Sequence, residues 1–193
     1  MIEGNAILCA EKRILEIIDS SPVPEDPIHA RNTAQWVERL GRKDPLLRVA
    51  ALGHDIERAL EREKVKRDKF PSYDAFKEAH AKNSARILKA ILEECGFEPW
   101  EMAMICSWVS MHEKGGSPEA DLLKDADSLS FFEKNLPLYS ERHSEREVKE
   151  RIKWGLERLS PSLIRMVNDM KYRDSHLKEM VTRLIEEKLC PNQ

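Results

Sequence analysis

The sequence predicts an all-α protein, and three observations lead to that fold class. Apolar residues recur at the three- and four-residue spacing of one helix face along most of the chain. No segment shows the strict alternation of apolar and polar residues that is typical of a half-buried strand. The length of 193 residues and the hydrophobic content of 41% suit one domain with a substantial core. We therefore expect a single all-α domain over residues 1–193, built from about seven to eight helices.

Helix caps and helix breakers divide the first part of the chain. A first helix is predicted over about residues 5–19, and the following SPVPEDP ends it with three prolines. A second helix begins near Pro27. Asp44 and Pro45 supply the cap and the first-turn proline of a third helix, LLRVAALGHDIERAL. This helix is almost wholly apolar up to Leu52, so we expect other helices to surround it.

The middle of the chain contains the longest predicted helix, from about Tyr73 to Glu94. A charged loop closed by a proline precedes it, and Cys-Gly ends it. Pro99 opens the next helix and Pro118 the one after, because proline is tolerated in the first turn of a helix.

Two further helices are expected toward the C-terminus, over about residues 144–189. Ser144 and Glu147 have the spacing of a capping box, in which each side chain bonds the backbone of the other residue. Ser160 and Pro161 begin a long amphipathic helix. No linker-like segment indicates a second domain, so these helices are expected to pack on the rest.

Composition excludes several classes of function. The formal charge is -3, and basic and acidic residues are interspersed, which argues against a nucleic-acid-binding face. The N-terminus lacks the features of a signal peptide, and no apolar run has membrane-spanning length. We expect a cytoplasmic protein that binds neither nucleic acid nor membrane. The sequence leaves open whether it forms a homo-oligomer.

Four cysteines are scattered along the chain without a CxxC pair: Cys9, Cys95, Cys106 and Cys190. This pattern matches neither a zinc knuckle nor a disulfide-dense scaffold. We expect reduced thiols that mostly fill the core.

Six side chains of types that bind divalent transition metals lie along successive predicted helices. They are His29, His54, Asp55, His80, His112 and Asp127. A single histidine on an apolar helix face is more often a hydrogen-bonded core residue than a ligand. Four such histidines with two aspartates in apolar helices are harder to explain in that way, because each would need its own buried partner. By contrast, His143 and His176 lie in charged surroundings and are expected to be exposed.

The order of these residues resembles the HD-domain superfamily of metal-dependent phosphohydrolases. An early His29 is followed by the doublet His54-Asp55 within LGHDIER and by a late Asp127 within DADSLSFF, a match over about residues 27–135. The resemblance implies an HD-type helical bundle in which these four residues bind one metal ion. In a subset of relatives, two intervening histidines hold a second ion and the aspartate of the doublet bridges the two. His80 and His112 would take that role here.

The resemblance also decides between two aspartates, because periodicity does not separate Asp125 from Asp127. It favours Asp127 as the ligand and leaves Asp125 as a helix cap or a partner of a ligand. It implies one or two divalent ions, for which manganese, iron, cobalt, nickel and zinc are all suitable.

The activity that the resemblance implies is hydrolysis of a phosphate ester, a nucleotide or another small phosphorylated metabolite, by a metal-activated water. Asp55 and Arg58 would be the catalytic pair, with Arg58 binding the phosphoryl oxygens where many relatives carry lysine. Lys82, Arg86 and Lys114 are further candidates for binding the substrate, ranked after Arg58. The general acid is not identified.

Two alternatives remain open. HD proteins with six such ligands also include di-iron oxygenases that cleave carbon bonds with O₂, and the ligand set does not separate them from hydrolases. A non-catalytic module that binds a metal or a nucleotide ranks last, because a structural metal site usually has fewer ligands. Metal content and oxygen dependence distinguish the enzyme classes.

Overall fold

The structure, a computed structural model, describes residues 4–190 and contains no β-strand within that range. The prediction of an all-α protein is confirmed. The helices are α1 (Gly4–Ile18), α2 (Glu25–Arg39), α3 (Pro45–Gly53), α4 (Tyr73–Glu94), α5 (Pro99–Met111), α6 (Pro118–Ser130), α7 (Leu136–Ser140), α8 (Glu145–Glu157), α9 (Pro161–Asn168) and α10 (Ser175–Leu189). A π-helical segment, Phe131–Asn135, joins α6 to α7. Among these helices, none is both long enough and apolar enough to cross a bilayer.

The chain divides into two compact units, the first ending at Asp127 and the second beginning at Ser128. The first unit contains α1 to α5 and α6 as far as Asp127. The second contains α7 to α10. The single domain expected over residues 1–193, with a metal-site core at about 27–135, stays a prediction.

In the first unit, α3 is the central helix, as its apolar sequence predicts. It packs against α1, α2 and α5, while α4 packs along α5. Its side chains from Leu46 to Leu52 are buried except for that of Arg48. The predicted cap is present, because the Asp44 carboxylate accepts hydrogen bonds from the backbone N–H groups of Leu46 (2.9 Å) and Leu47 (3.3 Å).

The third helix is shorter than predicted. It ends at Gly53 instead of continuing to Leu60, and a 3₁₀ turn (Ile56–Ala59) follows. Gly53 lies against α4 so closely that a Cβ there would be 2.9 Å from Leu88 Cδ1. Asp55 leaves the helical conformation, with φ -109° and ψ 16°. The His-Asp doublet therefore lies in a break in the helix.

In the second unit, α8 packs against α7 and α10, and α10 also contacts α9. The predicted capping box is present: Ser144 N–H donates to Glu147 Oε2 (2.9 Å), and Glu147 N–H donates to Ser144 Oγ (3.4 Å). The long helix predicted from Ser160 is wrong, because it is divided into α9 and α10. Asp174 caps α10 by accepting from His176 N–H (2.8 Å), and this side chain competes with helix continuation.

The cysteine prediction is also wrong in part, because Cys9 and Cys95 form a disulfide. α1 packs against α4, which brings the two Cα atoms to 5.7 Å although 86 residues separate them in sequence. Cys106 and Cys190 are free, the first half-buried and the second exposed. The expected cytoplasmic location stays a prediction.

Thiol titration in denaturant tests the disulfide. We expect two reactive thiols, and reduction or the Cys95→Ser substitution should lower the free energy of unfolding by about 2–4 kcal/mol, since the cross-link closes a long loop of the unfolded chain. Cys106→Ser is the control and should change the unfolding free energy less. Four reactive thiols before reduction would contradict the pairing.

Candidate metal centre

The structure brings all six predicted ligands together within the first unit. They are His29 on α2, His54 and Asp55 in the break after α3, His80 on α4, His112 directly after α5 and Asp127 on α6. Together with a neighbouring glutamate they form three groups of three residues, and within each group the ligand atoms lie within 4.8 Å of one another. The four imidazoles form a row, with neighbouring ring centroids 5.1–5.8 Å apart.

One end of the centre is built around the Asp127 carboxylate. Asp127 Oδ1 lies 3.0 Å from His29 Nε2 and 3.6 Å from His54 Nε2. Both imidazoles are buried, while the carboxylate is about one-sixth exposed. These three side chains form the first group of potential ligands.

The Asp55 carboxylate occupies the middle of the row. Its Oδ1 lies 2.7 Å from His80 Nε2 and 3.7 Å from the Nε2 atoms of both His54 and His112. One oxygen therefore faces three imidazoles that come from three different parts of the chain. His54, Asp55 and His112 form the second group of potential ligands.

The histidines are oriented by acceptors on the opposite side of each ring. His54 Nδ1 bonds the Ala51 carbonyl (2.8 Å), and His112 Nδ1 bonds the Val109 carbonyl (2.7 Å). Both residues directly follow the last residue of a helix, so each ring N–H satisfies a carbonyl of that helix end. With Nδ1 donating, Nε2 is left as the nitrogen that can accept a metal or a proton.

His54 supplies the test of whether a metal fits. Its side chain is fully buried, and among the described residues its Nε2 has no hydrogen-bond partner. Buried polar atoms are nearly always paired, so this nitrogen lacks the group that would normally satisfy it. Carboxylate oxygens of Asp55 and Asp127 lie on the same side at 3.7 and 3.6 Å. A divalent cation between these groups fits the donor set.

The negative charges of the aspartates also favour a cation in this centre. Burial by itself lowers the pKa of His54, but the negative charges of Asp55 and Asp127 outweigh it and raise the pKa to about 9. Burial also lowers the pKa of His80, and Asp55 with Glu57 raises it overall. Burial raises the pKa of Asp55, yet the facing imidazoles hold it well below its ordinary value. Protons therefore supply positive charge when no metal is bound.

Two glutamates of the centre were not predicted from the sequence. Glu57 is buried and accepts hydrogen bonds from His80 Nδ1 (2.7 Å), Val65 N–H (3.1 Å) and Asn83 Nδ2 (2.5 Å). It orients His80 on the side away from Asp55. The signal for this residue is weak, since Glu57 stands at the start of a charged stretch and resembles a surface residue.

The second glutamate, Glu113, directly follows His112. Its Oε1 lies 3.3 Å from His112 Nε2, and it forms an ion pair with Lys77 on α4. His80, His112 and Glu113 make up the third group of potential ligands. In the sequence this residue begins the polar EKGG turn, so its pattern is that of a surface residue and does not predict a ligand.

Arg58 lies at the edge of the centre with its side chain 38% exposed. Its Nε is 3.7 Å from Asp55 Oδ2, and the guanidinium pairs with Asp26 Oδ1 at 3.0 Å from Nε and 2.9 Å from Nη2. Ser21 Oγ donates to the other oxygen of Asp26 at 2.7 Å. The guanidinium is thus held beside the predicted ligands with part of its surface open to solvent.

The other predicted substrate-binding residues contact exposed carboxylates. Lys82 and Lys114 both pair with Glu78, and Arg86 pairs with Glu63 at 2.6 Å. A role for Lys82 or Lys114 in binding a substrate stays a prediction. His143 and His176 are exposed, as the sequence predicts.

The stability of metal-stripped protein should depend on pH through His54. Its folded-state pKa of about 9 exceeds the ordinary 6.5, so its contribution is fully present below about pH 6.5 and is lost as the pH rises through about 9. The decrease in unfolding free energy should be on the order of 3 kcal/mol, measured by urea denaturation across this range. His54→Gln should flatten the curve, and the exposed His143→Gln should not. Stability that rises with pH across this window would contradict the assignment.

Comparison with known proteins gives a family. Residues 11–181 match the family described as Domain of unknown function (DUF4202), and this segment includes all six predicted ligands. No curated protein and no solved structure matches the chain. Membership of the HD-domain superfamily stays a prediction. Because the match covers most of its length, the chain belongs to the family Domain of unknown function (DUF4202).

Proposed function

We propose that this protein is a metal-dependent phosphohydrolase of the HD-domain type, which hydrolyses a phosphate ester of a nucleotide or another small metabolite. The observation that supports the proposal is that the six candidate ligands lie in adjoining groups, in which Asp55 Oδ1 faces three imidazoles and the buried His54 Nε2 has no hydrogen-bond partner among the described residues. The order of the same six residues in the sequence is the order found in HD-domain proteins.

The donor set suits two divalent ions. The side chains that would hold the first ion are His29, His54, Asp55 and Asp127. Those that would hold the second are Asp55, His80 and His112. When bound, such ions act as Lewis acids toward a phosphoryl oxygen and make a water molecule acidic enough to react near neutral pH.

The protein's own groups fix the ligands and neutralise the substrate. Glu57 bonds His80 Nδ1, and main-chain carbonyls bond Nδ1 of His54 and His112, so the Nε2 atoms keep their direction without reorganisation. Asp55 stays ionised because its pKa is lowered. In the reaction a bond forms between the water oxygen and phosphorus while the ester P–O bond breaks.

Arg58 is the cation placed to bind the phosphoryl group. Asp26 fixes the guanidinium from one side, and the exposed part of the side chain leaves N–H donors for phosphate oxygens. A guanidinium that binds the spreading negative charge of the transition state lowers the barrier. Arg58 is therefore the catalytic cation of the proposed reaction, and Asp26 is its positioning residue.

Phosphate release tests the proposal. Metal-stripped protein loaded with Mn²⁺ or Co²⁺ under anaerobic conditions should release phosphate from at least one member of a panel of nucleotides and sugar phosphates. Asp55→Ala should abolish both metal binding and release, whereas Asp68→Ala, an exposed carboxylate in the 60–72 loop, should retain both. Substrate loss that requires O₂ and iron would support the oxygenase instead. Tight metal binding without turnover across the panel would support a binding module.

Arg58→Ala should lower kcat/KM about 10²- to 10³-fold, because the transition state loses its cationic partner. Arg58→Lys should restore part of the loss, since lysine keeps the charge but not the two-pronged geometry. The control is Arg31→Ala, which removes a comparable exposed arginine paired with Asp19 (2.6 Å) on the same helix as His29. Equal kcat/KM for Arg58→Ala and wild type would remove Arg58 from the mechanism.

A further inference from the structure

We propose that Glu113 is an additional ligand of the second metal position and that Lys77 holds its carboxylate when no metal is bound, so that Lys77 sets how tightly this position binds a cation. The inference rests on the proposed two-metal centre and adds two residues to it. Neither residue is part of the six-ligand pattern.

The first step is the position of the Glu113 carboxylate. Its Oε1 and the ring nitrogens of His80 and His112 lie within 4.8 Å of one another, and Oε1 is 3.3 Å from His112 Nε2. His80 and His112 are the two histidines assigned to the second ion. A carboxylate oxygen beside two imidazole nitrogens completes a three-donor set that suits a divalent transition metal.

The second step is burial. The Glu113 side chain is 5% exposed and that of Lys77 is 15% exposed. Removing both charges from water costs several kcal/mol per ion, which their mutual attraction repays only in part. An ion pair with this cost is poor evidence for a role in stability alone, so its location beside two imidazoles calls for another reason.

The third step compares this pair with a second one between the same two segments. Glu78, the neighbour of Lys77 on α4, pairs with Lys114, the neighbour of Glu113, and both side chains are at least 39% exposed. The segments are therefore linked by an exposed pair and by a mostly buried pair, Lys77 with Glu113, of opposite polarity. Only the mostly buried pair places a carboxylate among the predicted ligands.

The fourth step is competition. Lys77 Nζ and His112 Nε2 both face the same oxygen, Glu113 Oε1. A metal ion bound to His80 and His112 would contact Glu113 Oε1. The Lys77 ammonium and the metal ion would then repel each other, because both are positively charged. Lysine has a flexible four-carbon stem, so its ammonium can move toward solvent when the metal takes the carboxylate. No bond other than the metal–oxygen contact is made, and the ammonium stays protonated.

Co²⁺ titration of metal-stripped protein, followed by visible absorption and by equilibrium dialysis, tests the inference. Wild type should bind two ions with the second weaker. Glu113→Gln should weaken the second ion at least tenfold and leave the first unchanged. Lys77→Met should raise the affinity for the second ion. Glu78→Gln removes the exposed carboxylate that pairs with Lys114 and Lys82, and it should leave both affinities at the wild-type values.

The opposite changes in Co²⁺ affinity expected for Glu113→Gln and Lys77→Met distinguish a metal ligand and its competitor from an ion pair that is only structural. If Glu113 and Lys77 only stabilise packing, the two single variants should change Co²⁺ affinity in the same direction or not at all, and that result would overturn the inference. The double variant Lys77→Met/Glu113→Gln leaves no unpaired buried charge and should show the weakened second site even where a single variant does not fold.

Metal binding and turnover are read independently, which keeps this inference distinct from the proposed function. Two-ion binding with unchanged affinity in Glu113→Gln overturns only the role of Glu113. Two-ion binding with the expected opposite shifts, but without phosphate release from the substrate panel, supports the role of Glu113 and counts against the hydrolase. A wild-type protein that binds no Co²⁺ overturns both.

Discussion

The Asp55 carboxylate facing three imidazoles is the arrangement on which the first unit depends. Asp55 reaches that position because α3 ends at Gly53, where the backbone lies against Leu88 of α4. The central helix thus stops among the helices that surround it, and its last residues are followed by the candidate ligands His54 and Asp55. Like charges within the cluster can be tolerated only if protons or metal ions balance them. The folded first unit therefore requires that protons or metal ions balance the charge of the cluster.

Features of the fold and of the centre were predictable from the sequence where they depend on neighbouring residues in the chain. Asp44 predicts the start of α3 and Ser144 predicts the start of α8, because a capping side chain bonds backbone groups within three residues of itself. The six candidate ligands were recognisable because histidines and aspartates are unusual on apolar helix faces. Glu57 and Glu113 were not, since each stands beside other charged residues and only the fold shows that it turns inward. The Cys9–Cys95 disulfide depends on α1 packing against α4, which spacing along the chain does not encode.

Charge also explains the supporting residues of the centre. Four of the six predicted ligands are bordered by a group that fixes their direction: Glu57 for His80, main-chain carbonyls for His54 and His112, and Arg58 for Asp55. Arg58 is in turn held by Asp26. Ligand geometry is maintained by such outer contacts, because an unsupported side chain would lose rotamer entropy on each binding event. The centre is preorganised from several segments of one unit.

The rings of His54 and His112 each complete the end of a helix, because Nδ1 bonds a carbonyl three residues earlier. Under the proposed function, these two positions would serve folding through one edge of the ring and metal ligation through the other. A loss of metal after replacing either histidine will be accompanied by fraying of α3 or α5, so the two effects are confounded in any simple alanine scan. His29 lies within α2 and bonds Asp127 at one end of the centre, so replacing it would weaken the proposed ligation without removing the hydrogen bonds that complete α3 and α5.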